Sequence, residues 1–576
     1  MKKQYINLFI IAILLLSVQI ANAQQYVSIP EAKRVVEIPG VLVDEKGNYN
    51  FDEYEKSIDI IFRTIRDDAP NRTLGDGTVY VLKRNHVYIA GSTIEHQFLD
   101  IHIKGEEGSG RMPLILHTKI NNQNVVFLRT HKDAILEGFE FDSKNPDNSF
   151  ASRILDFRGP DSRVIVKNCR LINDRGGSLC IEAAGTGLSL YVYDCLIGNQ
   201  GHYISLGGNG RGLDIRVNNE TGYLDSVVFK NNTFFNLTDR VVRSMGGVVN
   251  YMEFDHNTII NNQGYHGSIQ FGNTKEAVAT NNIFANPIIM GDRTGTNWRN
   301  EQTQQRDLNH PDRAFAVVTH NGDVGRLDVS DIKGITMRNN NIFFKKEFLD
   351  LFAANPNMFS PNVRHTSDAI KTYLTGDPTK ISFTEELPFD YNDFQAGNLG
   401  SVSSYKDLVT VLEDFIADPT RSTLSENWSL IYPYEWNASY PTNTQSYTAA
   451  DGGFPLGDLN WFPSDKAKWM TNSIKSALRS AEAPAGIEIN RIYPNPFVDE
   501  TTIEYTIFVD QEVEISIYNF VGQKINTLKS GYMKQGTYTV TWNGKGFNGT
   551  EQARGIYLFA ISGSAGKAST RLVKGN

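Results

Sequence analysis

Cysteine is nearly absent from this chain, which has only Cys169, Cys180 and Cys195 among its 576 residues. A disulfide-stapled scaffold needs many more. The three form no Cys-x-x-Cys pair and have no paired histidines nearby, which disfavours a zinc site. Stability must therefore come from buried cores, and a chain of this length predicts two or more domains.

A basic excess is also missing, because 56 lysines and arginines are set against 65 aspartates and glutamates, for a net charge of −9. Proteins that bind nucleic acid show a basic bias, so this balance disfavours that class. The two signs are well mixed, which is an ordinary charge for solubility, and we expect a monomer.

Long apolar runs are lacking beyond the N-terminus. The one candidate, Leu8–Val18, is too short for a comfortable membrane span. Lys2 and Lys3 precede this run and the small residues Ala21-Asn22-Ala23 follow it, which is typical of a signal peptide over residues 1–23. The sequence thus predicts an exported protein with no membrane span in its mature form.

Helical periodicity is absent between Gly77 and Phe344, where short β-rich runs alternate with Gly, Asn and Asp turns. Residues 24–76 are predicted to form an N-terminal cap with helical periodicity over Phe51–Asp68. Seven motifs of the β-rich region align, and one column of the alignment contains Phe139, Cys169, Cys195, Asn232, Asn257, Asn282 and Asn341. A repeat near 25 residues without helices predicts a right-handed parallel β-helix over residues 77–344.

The recurring asparagine has a physical explanation in such a stack. Coils lie about 4.8 Å apart, so an inward residue of one coil sits on its equivalent in the next. Asparagine is both donor and acceptor, and a column of asparagines can hydrogen-bond along the stack. Cys169 and Cys195 extend this column, and neighbouring coils bring them within disulfide range. A bridge and two packed thiols are both compatible with the sequence, and we favour the thiols.

The remaining chain divides into three parts. Residues 345–475 mix amphipathic helical patterns with an aromatic, turn-rich stretch, and we interpret them as a covering extension that closes the end of the β-helix and lies along its side. Residues 476–486 form a small-residue linker. Residues 487–576 contain strands with alternating apolar and polar residues, which predicts a small C-terminal β-sandwich. The predicted fold class is therefore dominated by β-structure.

The C-terminal part resembles the sorting domain of type IX secretion cargo. The resemblance rests on "IYPNPF" (Ile492–Phe497), "VEISIYNFVGQKI", "GTYTVTWNG", "ARGIYLF" and the terminal "STRLVKGN". It implies export by the signal peptide, then passage across the outer membrane of a diderm bacterium by the type IX machinery. The cargo of this family is released or held at the cell surface. Pro494 and Pro496 are expected at a strand entry.

The β-helix resembles the pectate-lyase-like superfamily in its repeat texture, in particular the chondroitinase B and alginate lyase type. "DGGFPLGDLNW" (Asp451–Trp461) is similar to a closing motif of uncharacterised β-helix proteins from bacteria with type IX secretion. The catalytic motifs of the lyases are not found, so no catalytic residues are transferred. Fold alone does not assign an activity.

Outward polar residues on one sheet give a candidate site. After each ladder turn a second strand follows, and inward alternation of Ile181, Ile204, Leu206, Ile269 and Phe271 leaves Glu182, Tyr203, Ser205, Ser244 and Gln270 outward. The register of "RVVRSMGG" is ambiguous by one residue, so either orientation of Arg243 is compatible with the sequence.

Site roles follow from the chemistry of an acidic polysaccharide. A lyase neutralises the uronate carboxylate and exchanges protons at C5 and the leaving oxygen. We predict Arg240 or Arg243 as the neutralising groups and His202, His266 or Tyr203 as the proton-exchanging ones. The predicted substrate-binding residues are Arg175, Tyr265, Gln270 and Ser205. Glu182 and Asp174 are candidate ligands for a calcium ion, although two carboxylates are few for such a site.

Two functions remain open from the sequence. One is a polysaccharide lyase that cleaves a uronate-containing glycan by β-elimination, and the other is a non-catalytic glycan-binding protein or adhesin of the cell surface. The same residues are also compatible with solvated turns. A polygalacturonase-type hydrolase is disfavoured, because it needs aspartates clustered on adjacent strands and Asp156 and Asp174 look isolated.

Overall fold

The computed structural model divides into two units, Ile29–Lys466 and a second unit of Met1–Ser28 with Ala467–Asn576. The structure describes residues 26–42, 53, 56–118, 126–143, 153–173, 179–200, 210–217, 221–237, 239–244, 247–262, 268–271, 273–287, 316–319, 334–343, 350–351, 353–355, 364–366, 381–383, 438–471, 487–519, 523–563 and 566–575.

Three sheets of mainly parallel strands build the first unit, which we call the β-helix. Sheet one contains β1 (Arg34–Ile38), β3 (Thr78–Leu82), β6 (Ile101–Gly105), β9 (Ala134–Glu137), β12 (Arg163–Lys167), β15 (Leu188–Tyr193), β18 (Tyr223–Lys230), β21 (Val248–Asp255), β24 (Asn273–Thr280), β27 (Gly334–Arg338) and β30 (Ile381–Phe383). Sheet two contains β2 (Val41–Leu42), β4 (His86–Ala90), β7 (Leu114–His117), β10 (Glu140–Asp142), β13 (Arg170–Ile172), β16 (Leu196–Gln200), β19 (Thr233–Leu237), β22 (Thr258–Ile260), β25 (Ile283–Ala285) and β28 (Asn341–Phe343). Sheet three contains β5 (Ile94–His96), β8 (Val126–Thr130), β11 (Arg153–Phe157), β14 (Leu179–Ala183), β17 (Arg211–Ile215), β20 (Val242–Ser244), β23 (Ile269–Gln270), β26 (Ala316–Thr319) and β29 (Arg364–Thr366).

Each complete coil contributes one strand to each sheet, and equivalent strands of successive coils pair in parallel, except that β2 pairs antiparallel with β4. In sheet one, for example, Val166 of β12 pairs with Val192 of β15, which pairs with Phe229 of β18. These side chains are fully buried and belong to one continuous core. The predicted parallel β-helix is thereby confirmed. The right-handed sense remains the one expected for parallel crossover connections.

The turns from sheet one to sheet two explain why the chain is rich in asparagine. From β9 to β28 each turn has two residues, and the first adopts the left-handed backbone conformation. After Gly138 in the first of these turns, the residues at this position are Asn168, Asp194, Asn231, His256, Asn281 and Asn339, with φ between 51° and 59°. Asn and Asp tolerate this conformation better than other non-glycine residues, and His is also enriched there. The repeat therefore encodes a backbone bend at the same corner of each coil from β9 onward.

The second turn residue forms the predicted asparagine ladder. Oδ1 of Asn257 accepts from the backbone N and from Nδ2 of Asn232, at 3.1 and 2.9 Å. Oδ1 of Asn282 accepts in the same way from Asn257 at 2.8 and 3.0 Å. Nδ2 of Asn257 also donates to the backbone oxygen of Phe229 at 3.0 Å. All three asparagines are fully buried, so the ladder satisfies polar groups that water cannot reach.

The last rung of the ladder is Asn340, and the predicted Asn341 is wrong by one residue. Asn282 donates to Oδ1 of Asn340 at 2.8 Å, whereas Asn341 pairs with Ile283 within sheet two. The coil between Asn282 and Asn340 contains a long insertion, so two adjacent asparagines offered two registers. The strand pairing, which the sequence does not display, decides between them.

The cysteines of the column are free thiols, as favoured over a disulfide. The thiol of Cys195 donates to the backbone oxygens of Tyr193 and Val166 at 3.2 and 3.5 Å. Asn257 Nδ2 makes the equivalent bonds to Asp255 and Phe229. A thiol thus replaces the amide as donor to the turn at this rung, and burial raises the pKa of Cys195.

A second asparagine ladder, which the sequence reasoning missed, lies at the C-terminal ends of the sheet-two strands. Its members are Asn173, Asn199, Asn236, Asn261 and Asn286. The side-chain Nδ2 of each later member donates to Oδ1 of the asparagine one coil earlier, at 2.9–3.1 Å. All five are left-handed. The 25-residue spacing of Asn236, Asn261 and Asn286 was a usable signal.

The N-terminal cap contains a shorter helix than the periodicity predicts. Helix α1 covers Ile60–Asp68 and continues as a 3₁₀ turn at Ala69–Asn71. Ile58 forms a parallel bridge to Ile89, and Asp59 is left-handed because its carboxylate accepts from the backbone of Gly91 and Ser92. Strand-like pairing at Ile58 therefore interrupts the predicted helix, because Glu53, Lys56 and Ser57 before it are also helical.

Residues 438–466, which we call the strap, lie along the corner between sheets one and two. Asp458 accepts from the hydroxyl of Thr233 at 2.8 Å, and its backbone N donates to Thr258 Oγ1 at 2.8 Å. Asp451 and Lys466 contact the left-handed turn residues at either end of this stretch. Gly457 has φ of 77°, and a Cβ there would collide with the Thr258 hydroxyl. The motif "LGDLNW" thus packs closely against the stacked turns and hydrogen-bonds to them.

The second unit contains two antiparallel sheets packed as a small sandwich. One contains β31 (Ile487–Tyr493), β32 (Thr501–Ile507) and β35 (Gly536–Trp542), and the other contains β33 (Gln511–Asn519), β34 (Lys524–Met533), β36 (Gly555–Gly563) and β37 (Gly566–Lys574). Trp542 is fully buried against Phe497 and Tyr557. Pro494 and Pro496 follow β31, so they mark a strand exit and not the expected entry.

We predict that Asn257→Ala destabilises the β-helix by about 2–4 kcal/mol, because several buried donors and acceptors lose their partner. Urea unfolding followed by intrinsic fluorescence measures the change. Asn250→Ala on the outer face of the neighbouring strand is the control and should cost about 0.5 kcal/mol or less. Equal effects of the two substitutions would contradict a structural role for the ladder.

Strap docking should weaken as the pH rises. Burial raises the pKa of Asp458 to about 7 from the ordinary value near 4. Its protonation therefore contributes fully to stability below about pH 4, and this contribution is lost as the pH rises through 7. We predict that thermal stability falls between pH 5 and pH 8 by more in the wild type than in Asp458→Asn, which stays neutral. Identical pH profiles would refute the assignment.

Candidate anion-binding face on sheet three

One outward column of sheet three consists almost entirely of charged residues. Strand pairing aligns one residue from each of seven coils, and these are Glu95, Arg129, Asp156, Glu182, Asp214, Arg243 and Gln270. The preceding column, which includes Leu155, Ile181 and Leu213, is fully buried in the core. Because successive strand residues point to opposite sides, the charged column faces away from the core.

The register of β20 resolves the ambiguity around Arg243. Arg243 pairs with Asp214 and is outward, while Ser244 pairs with Ile215 and lies in a core column with 1% exposure. The expectation that Ser244 faces outward is therefore wrong. The alternation of apolar and polar residues alone could not decide which side chains face outward, because "RVVRSMGG" has polar residues at both odd and even positions.

Asp156 is the centre of the first charge cluster. It is completely buried, and it accepts from Arg129 Nε at 2.8 Å and from Arg158 Nε at 2.9 Å. Arg153 approaches to 3.8 Å. Arg158 comes from the turn after β11, and its side chain stays 41% exposed. The hydrogen bond to Asp156 raises the pKa of Arg158, so this exposed guanidinium remains charged.

The next two coils repeat the arrangement. Glu182 accepts from Arg153 at 2.5 Å and lies 3.8 Å from Arg216. Asp214 is completely buried and accepts two bonds from Arg243, at 2.8 and 2.5 Å, in the paired geometry that suits a guanidinium. Arg216 Nε donates to Asp214 at 2.9 Å and its side chain is 39% exposed.

A third cluster lies at the entrance of β17 and β20. Arg211 Nε donates to Asp239 at 2.7 Å and its Nη1 lies 3.4 Å from Asp214, while Arg240 Nε donates to Asp239 at 2.9 Å. Burial lowers the pKa of Arg211. Because Asp239 is fully buried and both arginines are nearly so, this cluster orders the entrance of the two strands.

The balance of the described face is positive, since seven guanidiniums surround five carboxylates. The arginines are 129, 153, 158, 211, 216, 240 and 243, and the acids are Glu95, Asp156, Glu182, Asp214 and Asp239. Most of the acids are buried whereas several arginines reach the surface. The carboxylates thereby fix guanidiniums that remain available to an anion, which lowers the entropy lost on binding.

The predicted site residues divide into two groups. Arg240, Arg243, Glu182 and Gln270 belong to the face, where Gln270 accepts from the backbone N of Ser244 at 3.3 Å. His202, Tyr203, Ser205, Tyr265, His266, Arg175 and Asp174 lie outside the described residues. Their roles stay predictions, and the structure brings together only the first four.

The calcium site also stays a prediction. Three arginines approach Glu182, and its predicted companion Asp174 is outside the described residues. Within the part of the chain that the structure describes, no group of three His, Cys, Asp or Glu side chains has the geometry of a metal site.

Asp156 is not isolated, contrary to the sequence interpretation. It stacks on Glu182 and, one coil further, on Asp214. A signal for this was present, because "DFR" at Asp156–Arg158 and "DIR" at Asp214–Arg216 repeat the same pattern at the ends of two strands. Arginines contact all three carboxylates, so the cluster orders guanidiniums and does not resemble a set of unpaired catalytic aspartates.

Comparison with known proteins identifies one end of the chain. Residues 491–575 match the family described as a secretion system C-terminal sorting domain. This C-terminal domain indicates secretion through the type IX system. The protein is therefore directed to the cell surface or the extracellular space. None of the helices in the described part of the chain has the length and apolarity needed to span a membrane.

Other comparisons add little. No curated protein matches the chain. Among solved structures, the chain is similar to dimeric latent PorU from Porphyromonas gingivalis, with 18% identity and a TM-score of 0.14. That likeness covers 15% of this chain and spans 9% of PorU, which is too little to inform the fold or the activity.

Asp214→Asn should destabilise the β-helix by about 3–5 kcal/mol, because it leaves the guanidiniums of Arg211, Arg216 and Arg243 without their shared buried partner. Urea unfolding provides the measurement. Asp225→Asn, at an exposed position of the neighbouring β18, is the matched control and should be nearly neutral. A neutral Asp214→Asn would show that the carboxylate does not organise the face.

Proposed function

We propose that this secreted protein binds an acidic polysaccharide along the charged column of sheet three. The observation that supports it is the pair of exposed guanidiniums of Arg158 and Arg216, each oriented by a completely buried carboxylate. Guanidiniums recognise carboxylate and sulfate groups through paired hydrogen bonds. Arg129 and Arg153 extend the same surface with partial exposure.

A linear polymer suits this surface better than a small anion. The arginines are distributed along the stacking direction over several coils, and coils repeat at about 4.8 Å. An extended chain of sugars can therefore contact equivalent positions in succession. Delivery to the cell surface or medium, where acidic glycans are exposed to the protein, agrees with this ligand class.

A polysaccharide lyase is the second candidate. Residues 201–209, which include His202 and Tyr203, lead directly into β17, where Arg211 begins the strand. Groups that exchange protons would then be close in sequence to guanidiniums that could neutralise a uronate, as β-elimination requires. A non-catalytic binding protein or adhesin needs only the arginine surface.

The binding proposal predicts that Arg158→Ala and Arg216→Ala each weaken binding to an acidic glycan about 10- to 150-fold, the value of one charge-assisted hydrogen bond. Isothermal titration with uronate oligosaccharides measures it, and added salt should weaken wild-type binding. Arg66→Ala, on an exposed arginine of helix α1, is the control and should leave affinity unchanged.

The same glycans distinguish the two candidates. If wild-type protein releases products with the ultraviolet absorbance of an unsaturated uronate, the protein is a lyase. Binding without such products indicates an adhesin. The absence of binding across carboxylated and sulfated glycans would overturn the proposal.

A further inference from the structure

The exposed guanidiniums of Arg158 and Arg216 converge on the coil that lies between them. Strand pairing stacks β11, β14 and β17 on successive coils, and the two arginines follow the first and the third of these strands. Their backbones are therefore about 9.6 Å apart, at ~4.8 Å per coil. Both side chains nevertheless approach Glu182 of β14, Arg158 to 3.9 Å from Oε1 and Arg216 to 3.8 Å from Oε2.

Glu182 draws these two guanidiniums together without using their hydrogen bonds. Its distances of 3.9 Å to Arg158 and 3.8 Å to Arg216 are too long for a hydrogen bond. Arg153 pairs with Glu182 directly at 2.5 Å and offsets its negative charge. Because Arg158 and Arg216 both stay exposed, their N–H groups remain accessible to an anion from solution.

The same face shows that guanidiniums from different coils share one carboxylate. Asp214 accepts from Arg243 of β20 at 2.8 and 2.5 Å and from Arg216, which follows β17, at 2.9 Å. Asp156 is shared in the same way between β8 and the turn after β11. A carboxylate has about four acceptor positions on its two oxygens, so it satisfies more than one guanidinium. A uronate offers a ligand carboxylate of the same kind.

We infer that Arg158 and Arg216 form one subsite that holds a single uronate carboxylate between them, an inference that rests on the proposed glycan binding. Both guanidiniums are attracted toward Glu182 from the coils on either side, so they reach one acceptor group without a change in the backbone. Donors that are held together before the ligand arrives lose less entropy on binding, and the pair therefore binds one carboxylate more tightly than either arginine alone.

An oligosaccharide with one charge distinguishes a shared subsite from two separate ones. The probe is a xylo-oligosaccharide that carries a single glucuronate, titrated by isothermal calorimetry. A shared subsite predicts that Arg158→Ala and Arg216→Ala each weaken its binding about tenfold or more, since the carboxylate loses a charge-assisted hydrogen bond in both variants. Separate subsites predict a loss of only about twofold, because the ligand moves to the arginine that remains.

The double substitution Arg158→Ala/Arg216→Ala tests the same inference independently. In a shared subsite its loss is smaller than the product of the two single losses, by about fivefold or more, because both donors act on one group. Separate subsites give a deviation of the opposite sign, since the second substitution removes the last arginine to which the probe binds.

Arg170→Ala is the matched control, because Arg170 is as exposed as Arg216 and lies 3.5 Å from the carboxylate of Glu140 on sheet two. It should leave the affinity unchanged. Circular dichroism and thermal melting show whether each variant is folded. Arg158→Lys and Arg216→Lys provide a second measurement, since they keep a cation beside the buried aspartates and should each weaken binding by about threefold or more.

The outcomes separate the two proposals. If carboxylated and sulfated glycans all fail to bind, the proposed function is wrong. If oligouronates bind but the probe with one glucuronate does not, or if each alanine substitution costs that probe only twofold, glycan binding stands and the shared subsite is wrong.

Discussion

The constraint on which this structure depends is the stacking of each coil on the previous one in backbone register. Parallel pairing satisfies the strands, but the corner between sheets one and two buries polar groups that no strand can pair. The ladder through Asn232, Asn257 and Asn282 satisfies them, and Cys195 continues it with a thiol donor. A corner fixed in this way keeps every outward position aligned with its equivalent in the next coil.

That alignment concentrates charge on sheet three. Asp156, Glu182 and Asp214 would repel one another if they were stacked alone, and burial would increase the cost. Arginines from the same strands and from the following turns surround them, so the repulsion becomes an ordered set of ion pairs. The exposed ends of these arginines are then oriented without further loss of freedom. The stability of the β-helix and the arrangement of the proposed binding face thus both depend on the register between stacked coils.

The features that could be predicted from the sequence depended on whether the connections between strands have a constant length. From β9 onward the turns from sheet one to sheet two have two residues, so the motif around each asparagine keeps its form from coil to coil and the ladder was visible. Connections from sheet two to sheet three vary from three residues before β5 to thirty before β26. The period is lost there, which is why the column of Asp156, Glu182 and Asp214 was missed and Ser244 was given the wrong orientation.

By itself, the sequence determined the parallel β-helix, its asparagine ladder and the sorting domain, because each rests on local patterns that repeat or match over short spans. Only the tertiary structure decided which charges meet. Arg153 reaches Glu182 across 29 positions, and Thr233 meets Asp458 across 225. Such contacts depend on the register of strands that are distant in sequence, and a one-residue change in register reverses which side chains face outward.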